Sequence, residues 1–457
     1  MKRTINILTL LTVAAMACAL QSCERYLDAK PNAKLTTPSS LQDLQYMLDD
    51  YSNINNVGYP ATSEVLSDNY YLSDQDWTSL SNLYDRNNYL WIADDTDASA
   101  YTRPYMVVYI ANVVLEQLPN IPYQSAETSQ FNQIKGSALF LRAALHYAVA
   151  QLYGQPYDAN NEQVGAGIAL RYTADYKDPV VRSSVKETYA SMISDLKEAA
   201  RLLPVVPLVK SRPSKPAAFG WLARAYLAMN DFENAGAYAD SCLQLYDSLM
   251  DFNALDASAN APISRFNEEV IFHARGTVNA ALHPSRAKID TNLYQSYADD
   301  DLRKIVYFKE NADGSHAFKG DYDGSGVSTG YVFGGIATDE IYLVRAEAQA
   351  RSGNTEAAME DLNVLLASRF DHGAFVPLTA TDAEEALALI LGERRKELLF
   401  RGTRWTDLRR LRNDPRFFTA PKRTMDGNGY ELPAESPRFT LLIPHDVITI
   451  NNMPQNP

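Results

Sequence analysis

The stretch Glu393–Leu411 sets the tightest limit on what this chain can fold into. Leu387, Ile390, Leu391, Arg394 and Leu398 recur at helical spacing, so one face of that helix is buried. Gly402 reads as a helix stop, and Trp405, Leu408 and Leu411 restart the same period in a second helix. Arg394, Arg395, Lys396, Arg401, Arg404, Arg409 and Arg410 crowd this junction. An isolated buried charge is very costly, so these cations need partners. Glu393, Glu397 and Asp407 are the carboxylates near enough in sequence to serve. The expectation is a structural ion-pair corner; a patch binding anions or nucleic acid is the lesser alternative.

The same helical period recurs along the chain. It predicts helices over 41–48, 105–118, 131–153, 185–203, 215–229, 232–246, 341–352, 356–368 and 383–400. Within them, Trp221-Leu-Ala-Arg-Ala225-Tyr226, then Asn230-Asp231 and Ala235, resembles a tetratricopeptide repeat. Arg345-Ala-Glu-Ala348, Gly353-Asn354 and Ala357-Ala358 repeat the design. Small residues let paired helices approach closely, and the Asn or Gly turns reverse the chain. The fold expected is mainly α: about four repeat-like helical pairs stacked as a short solenoid, with large irregular insertions and a few short strands. Repeat helices fall at about 103–154, 185–250 and 338–411, and insertions at about 53–102, 251–335 and 412–457. Strands are expected near Asn267 to Phe272 and Phe439 to Ile443.

Length and charge narrow the function. The 457 residues carry a formal net charge of −14, which argues against a broad nucleic-acid surface. Cys18, Cys23 and Cys242 form no disulfide framework and no metal spacing. Lys2 and Arg3 precede an uncharged apolar run, Ile5 to Leu20, too short to span a bilayer and read as a signal peptide. Leu20-Gln-Ser-Cys23 resembles a bacterial lipobox, which implies removal of residues 1–22 and acylation of Cys23. An ordinary secretory signal is the alternative. Residues 23–40 then suit a lipid tether, and 41–457 a single domain.

Catalytic signatures are weak. Gly326-Val-Ser-Thr-Gly330 matches G-x-S-x-G but lacks the flanking strand and helix that a nucleophile elbow needs. Asp321-Tyr-Asp323-Gly324 resembles the start of a calcium loop, yet Gly330 falls where a bidentate Glu belongs. The expectation is no metal, no cofactor and no enzyme activity.

Taken together, the lipobox, the helical repeats and the late arginine block resemble the SusD/RagB family of outer-membrane lipoproteins. Glu393-Arg394-Arg395-Lys396-Glu397-Leu398 and Arg401-Gly402-Thr403-Arg404-Trp405-Thr406-Asp407-Leu408 match its hallmark. So do Glu340-Ile341-Tyr342-Leu343-Val344-Arg345-Ala346-Glu347-Ala348 and the ending Met453-Pro-Gln-Asn-Pro457, which leans toward the RagB side. The resemblance implies a non-enzymatic surface lipoprotein that holds a nutrient and caps a TonB-dependent SusC-like barrel. Its ligand would be a glycan or, on the RagB side, a peptide. A helical glycoside hydrolase is the alternative from another class.

The aperiodic segment 53–102 is rich in Tyr, Trp and Asp, a composition suited to stacking on sugars and bonding their hydroxyls. The ligand-binding candidates are Asp68, Asn69, Tyr70, Tyr71, Asp74 and Trp77, with Tyr322 in the second insertion. Acidic Asp94 to Asp97 would suit a basic peptide. The hallmark residues are assigned a structural role.

Overall fold

The computed structural model describes residues 37–94, 97–160 and 165–457. The signal segment, Cys23 and Asp95 lie outside the described residues. Ten helices carry the argument. They are α1 (Leu41–Leu48), α2 (Ala98–Gln117), α3 (Thr128–Tyr153), α4 (Val185–Leu202) and α5 (Lys215–Ala228). The others are α6 (Phe232–Leu243), α7 (Thr338–Arg351), α8 (Thr355–Ala367), α9 (Ala383–Glu397) and α10 (Arg404–Leu411).

Local chemistry sets their ends. Ser40 and Ser184 cap the first turns of α1 and α4, and Asp43 and Glu187 reach back to complete capping boxes. Ser214 caps α5, with Pro216 in its first turn, where no amide is missed. Asn230, at φ 56°, turns the chain from α5 into α6, as Asn tolerates the left-handed region. α2 begins earlier than its periodicity suggests, at the Asp97 cap, and carries Pro104 inside it.

From α2 to α8 each helix packs on the next, and α9 rests on α7 and α8. Small residues permit this. A Cβ added to Gly236 of α6 would lie 2.8 Å from the Ala348 methyl of α7. Between the helices lies an apolar core in which Phe140 meets Trp221 and Phe272 edge-on, at centroid distances of 5.4 and 4.9 Å.

The insertions are more ordered than expected. Residues 53–102 hold three short helices, Thr62–Val65, Asp74–Thr78 and Leu83–Tyr89. Elements so short show no readable period. The strand expected at 267–272 is present as Val270–Phe272, paired with Ile336–Ala337. The strand expected at 439–443 is not: Pro437–Phe439 forms a 3₁₀ turn, and the amide of Leu441 donates to Leu152 at the end of α3. Instead Lys422–Met425 and Asn428–Glu431 form a hairpin around Asp426-Gly427, an Asp-Gly pair with positive φ at both positions.

Two buried histidines tie this core to pH. Burial lowers His146 to about 3, and burial with Arg265 lowers His273 to about 4, from an ordinary value of 6.5. Both are neutral in the folded protein, so the unfolded chain binds more protons below pH 6.5. Stability present above that pH is lost as pH falls toward 4. Buried carboxyls such as Glu269, raised to about 7, act in the opposite sense over pH 7 to 5, so the histidine contribution is read by comparison. The denaturant midpoint of His146→Leu should fall less, or rise more, from pH 7 to 5 than that of the parent protein.

Candidate functional site

The arginine block is paired, though mostly not with its sequence neighbours. Arg394 Nε donates to Asp407 at 3.0 Å, as expected, and Arg410 bridges Asp407 and Glu347 at 2.7 Å each. Glu393 and Glu397 turn elsewhere. Arg303 reaches Glu393 at 2.6 Å and Glu397 at 2.9 Å, and Arg369 binds Glu397 at 2.8 Å. Among these hallmark cations only Lys396 takes Glu393 within the helix. Arg401 pairs with Asp339 at 3.0 Å. Among the described residues Arg409 has backbone carbonyls alone as hydrogen-bond partners, from Ala150, Gln151 and Gly154, and burial lowers it to about 10.

Gly402, at φ 67°, bends the chain so that α10 leaves α9 and packs on Thr62–Val65 and α5. The two helices expected to close the repeat stack thus diverge after the bend. Trp405 is fully buried and stacks on Phe439 at 5.5 Å.

Beside this corner lies an open cleft of about 800 Å³. One wall is the segment Asp68–Leu72; α9 and α10 supply Arg395 and Arg404. Arg416, Phe417, Thr419 and the hairpin residue Lys422 line it as well, together with Asp290 and Asn292. Two rings offer faces here. Tyr71 is 37% exposed, and Phe417 is half-buried beside the Arg416 guanidinium, 5.0 Å from its ring centre.

The structure separates the sequence candidates. Tyr70 and Tyr71 pair as a short strand with Lys288–Ile289, which sends Tyr71 outward and Tyr70 inward. Tyr70 is buried and donates its hydroxyl to Val65. Asn69 is buried too and donates to Glu64 at 2.9 Å. Tyr322 is buried, 1% exposed, and donates to Glu269 at 2.5 Å, which removes it from any ligand-facing surface. Trp77 is half-buried under its own loop, its indole donating to Arg86. Asp74 is exposed and accepts from the Asp426 amide at 3.0 Å.

Asp68 lines the cleft yet is spent on the corner. It accepts from Arg404 at 2.6 Å and Arg395 at 3.3 Å. Burial alone would raise this carboxyl; Arg404 and then Arg395 hold it well below the usual carboxylate range. Asp68→Ala would leave both guanidiniums without a carboxylate. It should cost about 3 kcal/mol, read as a lower denaturant midpoint, with Asp68→Asn costing less. The cleft residues that sequence reasoning missed are Asp290, Asn292, Arg416, Phe417, Thr419 and Lys422. No motif marks them: Asp290 and Asn292 belong to the cap and first turn of the five-residue helix Thr291–Gln295, the other four run from the end of α10 into the hairpin, and only the fold brings the two groups together.

Comparison with known proteins places this geometry. A SusD-like family described as "Starch-binding associating with outer membrane" matches residues 25–227, and the "SusD family" matches residues 338–438. SusD-like protein P2 of Formosa agariphila is 24% identical over 437 residues, covering 81% of this chain and 82% of the relative. A SusD superfamily protein from Bacteroides vulgatus superposes with a TM-score of 0.75 at 21% identity, covering 92% of this chain and 99% of the other. A structure titled "Laminarin binding SusD-like protein" gives 0.62 at 17% identity, over 91% and 97% of the two chains. At these identities the structures establish the fold. The chain has the mainly helical architecture of a SusD-like carbohydrate-binding protein. It belongs to the SusD/RagB family.

Proposed function

We propose that this protein is a non-catalytic, lipid-anchored binding subunit that holds an oligosaccharide and caps a SusC-like, TonB-dependent outer-membrane barrel. The observation that carries the reading is the open cleft of about 800 Å³ with the Tyr71 and Phe417 rings on its walls. A volume of this order suits a small oligomer, and aromatic faces with a few placed polar groups are the means of binding one. The family's description as starch-binding, and a laminarin-binding structural neighbour, support a glycan. Anchorage would come from an acylated Cys23 and the tether over 23–40, leaving 41–457 as one domain. No helix among the described residues is long and apolar enough to cross a membrane.

Chemistry in the cleft favours binding over hydrolysis. A glycosidase needs a carboxylic acid with a raised pKa facing a second carboxylate. Asp407, despite burial, is held low by Arg394 and Arg410, and Asp68 is held low as described. The carboxyls that burial raises, such as Glu64, Glu269 and Asp321, are inside the core. The peptide alternative depends on acidic charge attracting basic peptides, whereas this cleft sets the cations Arg395, Arg404, Arg416 and Lys422 beside the carboxylates Asp68, Asp290 and Asp407 and so offers no purely acidic surface.

Calorimetric titration against neutral and acidic oligosaccharides and a mixed peptide library tests the reading. Binding to at least one glycan without turnover is expected, together with co-purification of a large barrel from native membranes. Binding to peptides alone, or release of reducing ends, would overturn it.

A further inference from the structure

A second concave site, of about 320 Å³, opens away from the cleft and shares no lining residue with it. Three parts build it: one face of α2, the loop that follows Ala169, and the helix His445–Asn451. Tyr101, Tyr105 and Tyr109 line it from successive turns of α2, because residues four apart share a helix face. Tyr101 is buried against Tyr105, with ring centres 4.9 Å apart, and the Tyr105 hydroxyl donates to the Ala169 carbonyl at 2.8 Å. Tyr109, one turn on, is left 53% exposed.

The loop is irregular yet firmly held. The Arg171 guanidinium is spent inside it, donating to the Asp175 carbonyl at 2.6 Å and the Asp178 carbonyl at 2.9 Å. Asn112, buried on α2, donates to the Arg171 and Thr173 carbonyls at 3.1 Å each. The Ala174 amide donates to Glu116 at 2.8 Å, and the Tyr172 hydroxyl to Ser191 of α4 at 2.9 Å. This pinned loop nevertheless carries Tyr176, which lines the site and is 85% exposed. A fixed loop that presents a large ring to solvent, next to a second exposed ring on a helix, has the form of a binding surface.

Charge and polarity select the ligand. Arg171 is the one charged side chain lining the site among the described residues, and its guanidinium is already engaged, so nothing there calls for an ion. The neutral groups are less fully used. Thr102 Oγ1 donates to Ala98 and Asn451 Nδ2 to Val447, which leaves an acceptor on each. Flat rings interleaved with neutral hydroxyl and amide groups match a pyranose, whose C–H faces stack on aromatics and whose hydroxyls both donate and accept. The volume is near the lower end for ligand pockets, which suits one or two sugar units.

We propose that this is a second saccharide-binding site, which takes one or two units of a neutral glycan against Tyr109 and Tyr176. It rests on the glycan reading of the protein but not on the cleft. So small a contact gives affinity in the millimolar range, too weak for calorimetry but enough to add avidity on a polymer that offers many units.

Hydroxyl-radical footprinting, which reads the accessibility of each ring as its rate of oxidation, tests the site. The probes are maltose, cellobiose and laminaribiose at saturating concentration. At least one is expected to slow oxidation of both Tyr109 and Tyr176, and to do so equally in Tyr71→Ala with Phe417→Ala. In Tyr109→Ala, protecting Tyr176 should need about tenfold more of the same sugar, with Tm unchanged because the lost ring is largely exposed. A sugar that protects Tyr71 but neither of these rings would overturn this site and leave the cleft reading standing. Protection of Tyr109 and Tyr176 with Tyr71 untouched would support this site and count against the cleft. Protection of neither ring by any of the three sugars would overturn the proposal. So would protection seen only when a co-purifying barrel is bound, which would mark a protein interface instead.

Discussion

Arg369→Ala is expected to lower stability by about 3–5 kcal/mol or to prevent folding outright. Arg369 is fully buried, and its guanidinium joins Glu269 at 2.7 Å and Glu397 at 2.8 Å, both also fully buried. It further donates to the Met250 carbonyl at 2.8 Å. Removing it leaves two carboxylates in the core with one other cation, Arg303, which already serves Asp301, Glu393 and Glu397. The large cost comes from those stranded charges, because the net worth of an intact buried pair is small. Arg416→Ala is the control: that side chain is half exposed, and its loss should change stability by no more than about 0.5 kcal/mol. Denaturant midpoints of the two variants at one pH decide the matter. Equal midpoints would show that the buried network contributes nothing.

That network also shows where the sequence stops being informative. Helix ends such as those of α1 and α4 are legible because caps and periodicity are local. The need for partners around Arg394 is legible as well, since it follows from the cost of burying charge. Which partners serve is not. Asp68 meets Arg404 across 336 positions, and Glu397 meets Arg303 across 94. Nothing local encodes such pairs. In the candidate site the difficulty is direction. Asp68-Asn-Tyr-Tyr-Leu72 reads as a cluster of ligand-type residues, yet a strand alternates its faces. Tyr70 and Leu72 are buried and Tyr71 between them is exposed, an alternation confined to the strand pair and its neighbour, since Asn69 before them is buried as well, and composition hides it. Tyr322 gives no such hint, because its burial depends on Glu269, Arg369 and Arg401 arriving from other parts of the chain.

Tyr70 borders the cleft but is only 3% exposed, and Tyr322 lies away from it, so ligand affinity should rest on the rings that offer faces there, Tyr71 and Phe417. Tyr71→Ala is expected to weaken glycan binding about tenfold or more, and Tyr71→Ala with Phe417→Ala to abolish measurable binding. The reason is geometric. Tyr71 is held on a strand paired with Lys288–Ile289, so its exposed ring is pre-positioned and little side-chain freedom is lost on binding. Phe417 lines the same cleft from beyond α10. Stability should hardly change in Tyr71→Ala, because the ring is already 37% exposed. Trp77→Ala separates this site from the loop beside it. Its ring packs under its own segment with the indole committed to Arg86, so it should lose stability and keep ligand affinity. Calorimetry and denaturation on the three variants give opposite signatures for the two residues. Undiminished binding in the double variant would place the glycan elsewhere on the surface.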